Sequence, residues 1–251
     1  MDCSGVGKAL KWSAIALAMA LAPVAAGAQI LPSTLSTTAR HSAGGSGVYA
    51  QPLGEFGQNV KRGFGLDGAA TYGVDSRGIF GLRGELGNLS YNTKREPFLA
   101  NTGFGVVELE SETKSNVLTL GLGPQLSVPV GPLRPYIAGT IGFARFATET
   151  AINVPARNSN TGSAETIDKQ TVSSDFVRSL AATAGIAFEL PMLGRGLLGN
   201  IGARYHKNGL AKYVSSEGVK YTSGSPRPTV TATESEADFV VYRLGLIFQI
   251  Q

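Results

Sequence analysis

Two histidines, His41 and His206, and one cysteine, Cys3, are all this chain offers for transition-metal or thiol chemistry. A zinc site takes three or four His, Cys or carboxylate ligands, so no metal is expected, and no cofactor either. His206 stands near a strand end, with Glu189 and several serines elsewhere, as a remnant of a Ser–His–carboxylate arrangement for attacking lipid esters. It is followed by Lys207-Asn208-Gly209, with no serine one strand-step away, and His41 lies in a stretch without periodicity. A rim histidine at a membrane interface is the plainer reading, so no catalytic residue is expected and the chain reads as a non-enzyme. The acidic run from Glu108 to Glu112 reads as a solvated charge run in preference to a weak calcium site.

A second set of residues is scattered in sequence but shares a parity. Asp67, Arg83, Glu85, Gln125, Asn200, Arg204 and Arg243 each lie in a segment where polar and apolar residues alternate, always on the polar side. Strand side chains point to opposite faces with a period of two, so the seven would face a common interior. Buried charge is costly unless paired. The expectation is a hydrogen-bonded network of three arginines and two carboxylates that plugs the interior. The competing reading is a gated or narrow pore, in which the network rearranges.

The segments that must position this set are strands. In the last stretch, ADFVVYRLGLIFQIQ, one face carries Val240, Tyr242, Leu244, Leu246, Phe248 and Ile250, and the other Phe239, Val241, Arg243, Gly245 and Ile247. One face suits lipid and the other a narrow polar lumen. Residues 63–74, 79–91, 116–128 and 197–206 repeat the pattern. Residues 135–146 are apolar on both faces, and in 175–190 Arg178 falls on the lipid side, where it must lie near the bilayer edge and snorkel. Gly44 to Gln51 completes a set of eight as the first strand.

Short connectors rich in Gly and Pro (75–78, 129–134, 191–196) alternate with long polar stretches (92–115, 148–174, 207–237), the rhythm of periplasmic turns and extracellular loops. Tyr72, Tyr136, Tyr205, Tyr213, Tyr242 and Phe248 fall near strand ends or on lipid faces and suit aromatic girdles, although a soluble protein would use them as core.

The N-terminus sets the compartment. Lys8 and Lys11 precede an apolar run from Trp12 to Ala22, and Val24-Ala25-Ala26-Gly27-Ala28 fits cleavage after Ala28. Residues 1–28 are read as a signal peptide, since the run is shorter than the roughly 20 residues of a membrane anchor. Residues 29–43 are read as a disordered periplasmic lead-in and 44–251 as the barrel. Cys3 leaves with the leader, so no disulfide stabilises the mature chain in an oxidising space. The formal charge of +4 falls by one with loss of Lys8, Lys11 and Asp2. That mild balance, without basic runs, gives no support to nucleic-acid binding.

Several of these stretches together resemble the outer-membrane β-barrel domain family, the small eight-stranded OmpA-like, OmpX-like and OmpW-like barrels. The resemblance lies in the leader, Tyr49 to Phe56, Gly63 to Leu66, Gly121 to Gln125, Arg134-Pro135-Tyr136 and Gly202 to His206. It implies an all-β, eight-stranded antiparallel up-and-down transmembrane barrel in the outer membrane of a diderm bacterium. It implies a monomer, with outer-membrane lipid and the barrel-insertion machinery as partners and an extracellular ligand or surface left open. The family has no common catalytic residues. Many members end on an aromatic residue. This chain ends Phe248-Gln249-Ile250-Gln251, so Phe248 or Ile250 supplies the signal in divergent form or assembly takes another route. The expected role is structural and surface-interactive. The alternatives are a narrow pore or transporter for small or apolar solutes, an envelope-lipid-modifying enzyme, and a soluble lipocalin-type barrel.

Overall fold

A computed structural model describes residues 41–102, 105–129, 131–154, 165–190, 196–221 and 228–250. The signal-peptide reading, and the lead-in up to residue 40, lie outside them.

Alternation becomes strand wherever the expected pattern was clean. The strands are β1 (His41–Pro52), β2 (Gly63–Gly73), β3 (Phe80–Thr102), β4 (Gly105–Ser127), β5 (Leu133–Val154), β6 (Glu165–Glu189), β7 (Leu197–Asn208), β8 (Leu210–Lys220), β9 (Thr229–Glu236) and β10 (Phe239–Ile250). One short helix, α1 (Gly54–Asn59), lies between β1 and β2. Eight strands close a barrel in the order β1-β10-β7-β6-β5-β4-β3-β2, and β8 and β9 form a separate hairpin. All pairs are antiparallel. Closure is made by β1, which pairs with both β2 and β10, so the barrel has no free edge. That removes the backbone groups that hydrocarbon cannot satisfy.

The first strand starts three residues before Gly44, because His41, Ser42 and Ala43 continue the ladder against Ile250, Gln249 and Phe248. These three residues belong to the barrel and not to the lead-in, and the His41 ring stacks on Tyr72 at 4.4 Å. The long polar stretches also differ from the expected loops. β3 and β4 run 23 residues each, β5 22 and β6 25, about twice the 9–11 residues that span a membrane. Along these extensions the inward face of β4 and β5 carries buried hydroxyls, Ser111, Thr113, Ser115, Thr148 and Thr150, so the apolar dyad fades while the hydrogen-bond ladder continues. Cross-strand pairs replace it: Arg95 lies 3.2 Å from Glu112 and 3.6 Å from Glu110, and Lys169 2.9 Å from Glu149.

The exterior is apolar where the barrel is complete. Phe64, Leu66, Leu120, Ile141, Leu180, Leu244 and Phe248 are exposed. Tyr49, Phe64 and Tyr242 cluster near one end, and Tyr72, Phe80 and Phe248 ring the other. Phe64 and Tyr72 are separated by roughly 27 Å of strand, which tilt reduces to about 20 Å, near the ~25 Å of a barrel's apolar band. Arg178 is exterior and exposed, at the level where β7 ends, since its carbonyl accepts the Gly209 N–H. The expected outward parity of Arg178 is met, next to the end of the complete barrel. No described helix is long and apolar enough to cross a membrane.

Candidate functional site in the barrel interior

Inward positions on neighbouring strands meet at one depth because the registers are fixed by the short turns. Asp67 pairs with Gly87, and Arg243 with Gly202. A bare glycine opposite each leaves room for the charged side chain. A Cβ on Gly202 would lie 2.8 Å from the Ala184 carbonyl and 3.5 Å from Arg243 Cγ. The seven inward residues are all buried, Gln125 the most exposed of them at 9% and Asn200 the least at 1%.

Glu85 is the hub. Its Oε1 accepts from Arg83 Nε at 2.5 Å and from Arg204 Nη2 at 2.6 Å, and lies 3.7 Å from Arg243 Nη1. Its Oε2 accepts the Thr140 hydroxyl at 3.3 Å. Asp67 lies 3.1 Å from Arg204 Nη2 and 3.3 Å from Arg243 Nη2. These two contacts are ion pairs without well-formed hydrogen bonds, and Arg243 Nε has no partner. Arg204 Nε donates to Thr183 at 3.2 Å. Arg83 also donates to Gln125 Oε1 at 2.9 Å, as does Thr71 at 3.2 Å, and lies over the Tyr136 ring at 5.3 Å. Tyr136 donates to Asn200 Oδ1 at 2.8 Å. The structure therefore brings all seven residues into one layer, with Asn200 joined through Tyr136.

Tyr136 was expected on a girdle and is instead inside, because its position on β5 has the inward parity. β5 is apolar on both faces, so periodicity alone could not orient it. The cavity on the turn side of this layer, near Arg83, Gln125 and Arg134, measures about 90 Å³. Beside Glu85, Arg204 and His206 the remaining space is about 10 Å³, the size of one water at most.

Above the charged layer, towards the long hairpins, the interior turns apolar. His206 stacks on Phe239 at 4.6 Å. Phe56 of α1 enters the barrel mouth and meets Tyr213 edge-on at 4.7 Å, with Tyr91 and Phe146 at 5.8 Å. Tyr213, on β8, is 1% exposed and so belongs to this cap and not to a girdle. Neither Phe56 nor Tyr213 was singled out for this role from sequence, because both lie in connectors without barrel periodicity.

Ser179 is a further residue the sequence did not indicate. The β6–β7 register places its hydroxyl 3.3 Å from His206 Nδ1. Among the described residues His206 has no hydrogen-bonded carboxylate, and the pair faces the 10 Å³ space with no room for a substrate. Glu189, the other carboxylate weighed for such an arrangement, is 2.6 Å from Arg134 at the opposite end of the barrel. No group of three or more His, Cys, Asp or Glu residues able to hold a metal occurs among the described residues.

No known family pattern and no curated protein matches the chain. Solved structures give distant likenesses. Neisserial surface protein A is 11% identical over 84% of this chain and 97% of its own, with a TM-score of 0.45. Ail, the attachment invasion locus protein of Yersinia pestis, is 13% identical over 83% and 96%, at 0.41. E. coli outer membrane protein W is 13% identical over 86% and 100%, at 0.38. The architecture rests on this chain's own pairing: it is a closed, eight-stranded antiparallel barrel with an apolar exterior and a charged lumen.

Proposed function

We propose that this protein is a sealed outer-membrane barrel with a structural and surface-interaction role, in which the Glu85-centred network blocks passage and the extended hairpins present the contact surface. It would act as a monomer in outer-membrane lipid, placed there by the barrel-insertion machinery, and without catalysis. The single observation that supports the seal is the charged layer itself. Five ionised side chains from four strands pack across the lumen beside a space of about 10 Å³. Opening a path would separate buried ion pairs, a step that costs several kcal/mol.

The test is liposome swelling in small sugars, with heat-modified gel mobility to establish folding. Wild-type barrel should leave the liposomes unswollen, and folded Arg243→Met should admit solute. Uptake by the wild type at a rate proportional to protein would favour the narrow-pore reading.

A further inference from the structure

Phe56 is the sole buried residue of α1, 2% exposed, while its helical neighbours lie in the open. Its ring sits in a chamber whose other walls are Tyr91, Phe146, Tyr213 and Phe239. The rings pack among further apolar side chains, including Val117, Ala144, Val177 and Val241, with His206 stacked on Phe239. We propose that this chamber is a binding site for a small uncharged aromatic molecule, and that residues 53–62 are a lid carrying Phe56 as an intramolecular stand-in for that ligand.

The lid is weakly fastened. α1 is six residues long, and Leu53 at its start supplies no side-chain cap. A helix this short has little stability of its own. Its attachments beyond Phe56 and Val60 are a backbone bond from Leu53 N to the Asp238 carbonyl at 2.9 Å and a contact from Asn59 Nδ2 to the Tyr213 hydroxyl at 3.3 Å. Gly54, at φ +55°, is the hinge. On the lid's outer side, a cleft of about 610 Å³ between Gln58, Lys61, Arg62 and Ser215, Glu217 gives it room to move.

The chamber also has polar capacity that an aromatic hydrocarbon leaves unused. The Tyr91 hydroxyl is buried beside Ser115 and Thr148 without a well-formed hydrogen bond. The Tyr213 hydroxyl, bonded to Ser235 at 2.8 Å, loses Asn59 when the lid lifts. The ligand class is therefore a single-ring or indole-sized aromatic with one polar group. Edge-to-face packing like that of Phe56 would hold its ring. Binding at this depth is compatible with a sealed lumen, because the charged layer lies below it.

The test uses the folded barrel in lipid nanodiscs and 4-fluorophenol, followed by fluorine NMR against empty nanodiscs. Wild type and three variants separate a native site from an engineered hole. Wild type should bind saturably. Gly54→Val leaves Phe56 and the chamber intact but strains the closed hinge, and should tighten binding by about tenfold. Phe56→Ala should bind tighter still, and Phe146→Trp, which fills the chamber, should abolish binding while heat-modified mobility stays normal. No saturable binding by wild type and Gly54→Val would overturn the proposal, even if Phe56→Ala bound. Liposome swelling stays the separate readout of the seal, so the two readings fail independently.

Discussion

The inner and outer halves of the lumen are closed by opposite chemistry. The inner half is filled by charge: Asp67, Arg83, Glu85, Arg204 and Arg243, all on barrel strands and locked together by ion pairs. The outer half is filled by rings, and two of them, Phe56 and Tyr213, come from segments outside the barrel. The strand-borne layer is as rigid as the ladder that carries it. The loop-borne layer makes no strand pair with the barrel. On the proposed reading, one narrow channel holds both a permanent seal and a movable cover.

The largest effect should come from the hub. Glu85→Ala removes the acceptor shared by Arg83 and Arg204 and leaves three buried cations facing Asp67 alone. The expected loss is on the order of 3–5 kcal/mol, read as a lower urea midpoint of barrel unfolding on heat-modified gels. A smaller change at this position than at Asp67 would invert the hierarchy within the network, because Asp67 lacks well-formed hydrogen bonds.

Phe56→Ala should cost less, roughly 1–3 kcal/mol, although a core Phe→Ala change usually costs about 3–5. Its loss should be local. Hydrogen exchange should rise in residues 53–62 and around Tyr213, with protection of β7 and β10 unchanged. Global loosening of the barrel would show that the cap is not separable.

Outside the lumen, effects should shrink. Arg95→Ala removes exposed ion pairs on the β3–β4 hairpin, where such pairs contribute about 0–1 kcal/mol, and the unfolding midpoint should scarcely move. Smaller still is the turn residue Asp75. Desolvation pushes its carboxyl up, but hydrogen bonds from the N–H groups of Phe80 and Arg77 outweigh that and hold its pKa below the ordinary 3.8. Its contribution is therefore present above the ordinary value and is lost as pH falls through the lower folded value. An acid titration comparing wild type with Asp75→Asn should show the two converge at the acid end. Divergence there would contradict the sign.

The contrast between the halves also explains what was legible in the sequence. Asp67, Glu85, Arg204 and Arg243 could be placed together because dyad parity fixes the face, and a closed barrel leaves only one interior. Parity also placed Arg178 outside. It failed where both faces are apolar, so Tyr136 went to the wrong side; it was silent on Phe56, and Tyr213 was read as a girdle residue, since the positions of both depend on how connectors fold back. The Ser179–His206 contact needed the β6–β7 register, which no single strand encodes. The long hairpin extensions read as loops, because buried Ser and Thr replace apolar residues on the inward face and erase the apolar alternation that marks a strand.

The central claim is that the charged layer, and not the cap, closes the channel. Single-channel recording in planar bilayers tests it most directly, with wild type, Phe56→Ala and Arg204→Ala compared as folded proteins. The prediction is silence from the first two and stepwise ionic conductance from Arg204→Ala, which removes the side chain bridging Glu85 and Asp67. Steady conductance from wild type, or from Phe56→Ala alone, would contradict it.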